Sequence, residues 1–172
     1  MTHVMKQIRI EKITLNVGVG KDQNKLEKAL KLIMHITGTS PVKTFAKKRI
    51  PTWGLRPGLP IGCKLTLRGK RAVELLPRLL ESKEKKLLPT QFDEHGNVAF
   101  GIPEYIDIAG VKYEPDIGIL GLEVCVTLAR PGFRIKRRKV KSTKIPRSHC
   151  ITRQEAIEYM KSNFAVSVGV ED

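Results

Sequence analysis

Gly18-Val19-Gly20-Lys21 is the first segment of this chain in which catalysis could be sought. Two glycines and a lysine, set between an alternating apolar pattern and a helical one, could cradle a phosphate on backbone amides. The nucleotide-binding P-loop requires G-x-x-x-x-G-K-[ST], and here Asp22 follows the lysine. The dinucleotide pattern G-x-G-x-x-G fails as well, because Gln23 stands at the third glycine position. The segment reads as a tight strand-to-helix turn. A phosphate-transfer enzyme is the rival reading, and it predicts nucleotide binding at this turn.

Other reactive residue types are present without a supporting pattern. Asp93 and Glu94 precede His95, which could serve acid–base chemistry. Gly96-Asn97 follows at once, so these charges belong to a solvated turn. Glu104, Asp107, Glu114 and Asp116 share a Pro/Gly-punctuated loop, and their spacing does not require a cation. Cys63, Cys125 and Cys150 are widely spaced, and none belongs to a C-x-x-C pair. His149 beside Cys150 is a poor chelating spacing, and no second pair completes a zinc site. Reduced, structural thiols are expected, with no catalytic residue, metal or cofactor.

What remains is positive charge. Across 172 residues, 32 Lys and Arg face 17 Asp and Glu, a net charge of +15. Such an excess repels itself unless a polyanion neutralises it. A membrane surface would call for basic residues beside large exposed apolar ones on one helix, and no such helix is evident. No apolar run approaches the roughly 18 residues of a membrane span. The opening MTHVMKQIRIEK is charged and lacks the apolar stretch of a signal peptide. An intracellular nucleic-acid binder with no membrane partner is expected.

Two stretches concentrate the charge. Thr39 to Pro60 holds Lys43, Lys47, Lys48, Arg49 and Arg56, no acid, and the only tryptophan, Trp53. Its prolines and glycines predict a long irregular loop. An exposed Trp53 flanked by arginines could stack on a base, worth about 1–3 kcal/mol. Phe133 to Lys144 places seven Lys or Arg among twelve residues, again with no acid. Both stretches are expected to be mobile in the free protein.

The elements that must carry these residues follow from periodicity. Ile13, Leu15, Val17 and Val19 alternate with Lys12, Thr14, Asn16 and Gly18, a strand with one apolar face. Ile61, Cys63, Leu65 and Leu67 alternate likewise with Lys64, Thr66 and Arg68. Val98 to Ile102 and Leu122 to Leu128 repeat the pattern, the latter with Glu123, Cys125 and Thr127 outward. Leu26, Ala29, Leu30, Ile33 and Ile36 mark a helix from Asp22 to Thr37, stopped at Gly38. Ala72, Val73, Leu75, Leu76, Leu79 and Leu80 mark another from Lys70, with a kink or restart expected at Pro77. Thr152-Arg153-Gln154-Glu155 is a capping box that opens a helix over about 153–163.

The predicted fold is α+β: one domain over residues 1–172, an antiparallel sheet with helices packed on one face, and a long protruding loop. The other face would show Lys12, Thr14, Asn16, Lys64, Thr66, Arg68 and Thr127. Such a basic, hydroxyl- and amide-rich surface suits phosphates and 2′-hydroxyls.

Three blocks then carry a family resemblance. Ile10-Glu11-Lys12-Ile13-Thr14-Leu15-Asn16-Val17-Gly18-Val19-Gly20, Pro60 to Gly69, and Phe92-Asp93-Glu94-His95-Gly96-Asn97-Val98-Ala99-Phe100-Gly101-Ile102 stand in order. Together they resemble the large-subunit ribosomal protein family called L-five, L-eleven in eukaryotes. The ending from Arg130-Pro131-Gly132 through the basic run resembles the archaeal and eukaryotic branch, and the compact length favours archaeal.

The resemblance implies a cytoplasmic protein of the large ribosomal subunit that anchors 5S rRNA in the central protuberance. It also implies contacts to large-subunit rRNA, to the P-site tRNA, and to neighbouring ribosomal proteins that include a small-subunit bridge protein. Asn16 and Thr66 match the family's 5S-contacting positions, and the Arg49 to Gly58 segment matches its tRNA-contacting loop. The expected rRNA-binding set is therefore Lys12, Thr14, Asn16, Thr39, Lys64, Thr66, Arg68, Arg134, Lys136, Arg137, Arg138 and Lys139. The expected tRNA-binding set is Arg49, Trp53 and Arg56. At Gly38-Thr39 the chain departs from the family's Gly-Gln, which replaces an amide contact by a shorter hydroxyl.

Overall fold

Residues 3–169 are described by a computed structural model. Strand β1 spans Arg9–Gly18, helix α1 Gln23–Thr37, β2 Val42–Phe45, β3 Pro60–Leu67 and α2 Lys70–Glu81. Then come β4 Lys86–Leu87, β5 Asn97–Ile102, β6 Leu122–Ala129, α3 Arg153–Phe164 and β7 Ser167–Val168. The larger sheet has the order β2-β3-β1-β6-β5, and every neighbouring pair is antiparallel. Strands β4 and β7 form a separate parallel pair.

Alternation in the sequence becomes one buried face. Ile13 and Leu15 of β1, Cys63 of β3, Val98 of β5, and Val124 and Val126 of β6 are fully buried there. Helix α1 covers this layer with Leu26, Ala29, Leu32, Ile33 and Ile36, and α2 with Ala72, Leu75, Leu76, Leu79 and Leu80. Each fully buried leucine or isoleucine contributes about 1.5–3 kcal/mol. Helix α3 adds Ala156 and Met160 to the same cluster.

Local chemistry sets the ends of these helices. The Asp22 carboxylate accepts the amides of Asn24 and Lys25, and Gly38 ends α1 in the left-handed region at φ 65°. The capping box of α3 is formed from both sides: the Glu155 amide donates to the Thr152 hydroxyl, and the Thr152 amide to Glu155 Oε2.

The structure corrects the sequence reading in four places. The 39–60 segment is not wholly irregular, because Val42 to Phe45 form edge strand β2 against β3. Helix α2 runs unbroken through Pro77. The carbonyl that Pro77 cannot bond belongs to Val73, which lies in an exposed turn where solvent can serve it. Val73 is accordingly outside the core, and Leu32 is inside it while Leu30 is only half-buried. The 82–89 connector contains β4, whose parallel partner β7 lies beyond α3.

Candidate nucleic-acid interface

The register of the sheet turns separate strand residues into rows on the uncovered face. Thr14 of β1 lies between Thr66 of β3 and Cys125 of β6, and Cys125 pairs onward with Ala99 of β5. This row holds only short side chains. It is flanked on one side by Asn16 between Lys64 and Glu123. On the other side Lys12 pairs with Thr127, and Arg68 follows directly after β3. A strip of short, hydroxyl-bearing side chains with Lys12 and Arg68 on one side and Lys64 on the other is a surface along which a phosphodiester chain can lie.

The strands place these groups through the pleat. Because every second residue of β1 and β3 is packed against the helices, Thr14, Asn16, Lys64 and Thr66 must point away. Gly62 allows β3 to come close: a β-carbon there would sit 2.5 Å from the Val17 carbonyl oxygen. Glu123, which the alternation of β6 already turned outward, is an acidic member of this otherwise basic face. It accepts a hydrogen bond from Asn16 Nδ2 at 3.2 Å, which orients the amide and leaves Asn16 Oδ1 as an acceptor.

The thiols sort by depth. Cys63 is fully buried among aliphatic side chains, and burial pushes its thiol up to about 11. Cys125 is half-buried on the open face; burial, and then the Glu123 carboxylate, raise its thiol above the ordinary value. Among the described residues, no group of three His, Cys, Asp or Glu side chains is arranged to hold a metal ion. None of the helices described is long and apolar enough to cross a membrane.

The Gly18 to Lys21 turn is occupied by its own sheet. The amides of Val19 and Gly20 both donate to the Ile61 carbonyl, at 3.0 and 3.1 Å. The amides at the start of α1 are taken by Asp22. The donors a phosphate loop would use are therefore spent on structure.

The 46–59 loop is a second hairpin. Ile50 and Leu55 exchange two backbone bonds of 3.0 Å, and the Ala46 and Gly58 amides tie its base together. Leu55 is buried as its anchor, while Trp53 at the tip is 68 % exposed, as the sequence reading expected. Arg49 and Arg56 flank it and are exposed. Thr39 stands apart from the sheet-face set: it follows the C-cap of α1, half-buried, and its amide donates to the Thr37 hydroxyl.

Beyond β6 the basic segment turns back toward the open face. Arg134, Lys136, Arg137, Arg138 and Lys139 are all exposed. Arg137 pairs with Glu11 of β1, the Arg138 guanidinium donates to the Lys141 carbonyl at 2.7 Å, and the Thr143 amide to the Ile135 carbonyl at 3.3 Å. The anchor of this segment is Arg130, which the sequence reading missed. It is 6 % exposed and donates to the His149 and Cys150 carbonyls and, at 2.6 Å, to Glu155. Burial pushes the Glu155 carboxyl up, but the bonds from Thr152 and Arg130 outweigh it and hold the group below its usual range. No periodic signal marks a single buried arginine; the only hint was an acid in the capping box opposite a basic chain.

A cleft of about 830 Å³ lies between this segment and the end of the open face. Lys12, Arg68 and Lys144 stand around it, and Leu128, Phe133, Ile145 and Ile151 line it.

An uncovered sheet face that carries Lys12, Lys64 and Arg68 and is joined to a basic arm is a surface suited to RNA. A family model described as "Ribosomal protein L5" matches residues 3–56, and the model for the C-terminal part of the same ribosomal family matches residues 60–159. The large ribosomal subunit protein uL5 of Sulfurisphaera tokodaii is 46 % identical over 95 % of this chain and 93 % of its own length. That of Nanoarchaeum equitans is 47 % identical over 98 % of this chain and 99 % of its own. That of Methanosphaera stadtmanae is 46 % identical over 96 % and 99 %. The chain belongs to the uL5 family of large-subunit ribosomal proteins, in its archaeal form. It is a structural constituent of the large subunit of the cytoplasmic ribosome and not an enzyme.

Proposed function

We propose that the open sheet face holds 5S rRNA and anchors it in the central protuberance. Thr14, Asn16 and Thr66 make the directional bonds, and Lys12, Lys64 and Arg68 neutralise phosphates on either side. The exposed basic side chains Arg134, Lys136, Arg137, Arg138 and Lys139 contact large-subunit rRNA, and Thr39 adds a hydroxyl at the end of α1. The hairpin tip with Arg49, Trp53 and Arg56 reaches the P-site tRNA. Neighbouring ribosomal proteins, including a small-subunit bridge protein, complete the surroundings. The whole chain acts as one domain.

The observation that carries this reading is the row Ala99, Cys125, Thr14, Thr66, short and hydroxyl-bearing, with Lys12 and Arg68 on one side and Lys64, Asn16 and Glu123 on the other. Small side chains let a backbone approach, and hydroxyls match the 2′-hydroxyls that distinguish RNA. Asn16→Ala and Thr66→Ala test it. Each removes about 1 kcal/mol of directional bonding, so 5S rRNA affinity falls about fivefold to tenfold while affinity for an unrelated RNA changes less than about twofold. Equal losses on both RNAs would contradict the assignment.

A further inference from the structure

The cleft at the end of the open face has a composition that phosphate binding does not account for. Phosphates and sugars need cations and hydrogen-bonding groups, and the lining supplies them in Lys12, Arg68, Lys136 and Lys144, but it sets apolar side chains among them. Phe133 and Ile145, both half-buried, bring hydrocarbon surface to it, and the buried Ile151 backs them. Lys12, Arg68 and Lys144 line it as well. One acid, Glu11, also lines it, and its charge is matched by Arg137. Its volume of about 830 Å³ lies within the range of sites that enclose a small organic molecule.

The walls are built. On one side stands the sheet, with Lys12 and Thr127 directly paired across β1 and β6. On the other stands the basic segment, closed on itself by the Arg138–Lys141 and Ser142–Lys136 bonds. Phe133 is fixed by an edge-on contact with the His149 ring, whose Nε2 lies 2.9 Å from the Pro131 carbonyl oxygen. Arg130 holds the far end of this segment against α3.

We infer that this cleft receives a single unstacked nucleotide of the bound RNA, its base against Phe133 and Ile145 and its phosphates on Lys12, Arg68 and Lys144. A duplex presents no free base face, so Phe133 and Ile145 set among lysines and an arginine favour a nucleotide extruded from the helix. This inference rests on the RNA-binding reading and adds specificity for an unpaired position.

The test uses the full chain and a hairpin RNA in two forms, fully paired or carrying one bulged nucleotide, with each of the four bases in turn. At physiological salt at least one bulged hairpin binds about tenfold more tightly than the paired one. It also slows alkylation of Cys150, a half-buried thiol in the cleft lining. Ile145→Asn abolishes the preference and leaves binding of the paired hairpin unchanged. Equal binding of paired and bulged hairpins overturns the inference, as does a preference that survives Ile145→Asn. Protection of Cys150 by free mononucleotides at lower concentration than by any bulged hairpin would overturn the assignment to RNA. Failure of both hairpins to bind above an unrelated polyanion would instead sink the RNA-binding reading itself, so the two failures are separable.

Discussion

Replacing Arg130 by methionine tests how the basic segment is held. The guanidinium is almost fully buried and makes three hydrogen bonds, to the carbonyls of His149 and Cys150 and to the Glu155 carboxylate. Methionine keeps much of the aliphatic volume and removes all three. Breaking a fully buried pair costs about 3–5 kcal/mol. Glu155 is 38 % exposed at its side chain, so water can take up part of its lost partner. The Arg130 Nε atom has no partner, so its loss offsets a little of the cost. The expected net loss is about 2–3 kcal/mol, or roughly 4–12 °C in melting temperature for a chain of this size. Thermal and denaturant unfolding of Arg130→Met, Glu155→Gln and the double variant form a cycle. Glutamine keeps the capping box, so Glu155→Gln isolates the charge. A coupling energy of at least about 1 kcal/mol is expected between the two sites. Strictly additive losses, or a loss below about 0.5 kcal/mol in Arg130→Met, would refute the role assigned to this arginine.

The same pair gives a pH signature. The folded-state Glu155 carboxyl lies below its ordinary value of 4.5, so its contribution is present above that value and is lost as pH falls through the depressed folded value. Wild type should therefore lose more stability than Arg130→Met on acidification below about pH 5, read by chemical denaturation at each pH. Gly62→Ala should destabilise by about 2 kcal/mol, since its β-carbon would strike the Val17 carbonyl at 2.5 Å and Thr44 Oγ1 at 3.1 Å. A change within about 0.5 kcal/mol, the scale of ordinary surface substitutions, would mean that the β1–β3 spacing relaxes freely, which two paired strands of a central sheet should not allow. Trp53→Ala should leave 5S rRNA affinity within about twofold and reduce protection of the P-site tRNA elbow in ribosome footprinting. A large 5S defect would show that hairpin and sheet face do not act on separate RNAs.

The four long strands were legible because each is apolar on one face only. Ile13, Leu15 and Val17 could alternate with Lys12, Thr14 and Asn16 only if one side is packed and the other open. Once the strands are placed, the open-face residues follow from the pleat. Strand β2 left no such signal: Val42, Lys43 and Phe45 are exposed, and an edge strand without a buried residue has no period to read. Strands β4 and β7 are two residues each and meet from opposite sides of α3, a pairing no local pattern encodes. Pro77 misled because its cost depends on whether the orphaned carbonyl is wet, and that is a tertiary fact. Arg130 shows the same limit. A cation in the core depends on partners far along the chain, at His149, Cys150 and Glu155. The cleft exists only because the segment after β6 folds back over the sheet, so it was not readable from the charge run that forms one wall.

The central claim is selective recognition of 5S rRNA, and the most direct test is a titration of the purified chain against 5S rRNA and an unrelated RNA of equal length across a salt series. Any protein of this charge binds RNA at low salt, so only the ratio at physiological salt carries information. There 5S rRNA is expected to bind about a hundredfold or more tightly, with both affinities falling as salt rises. Equal affinities that fall in parallel would contradict selective recognition and reduce the open face to a generic polyanion surface.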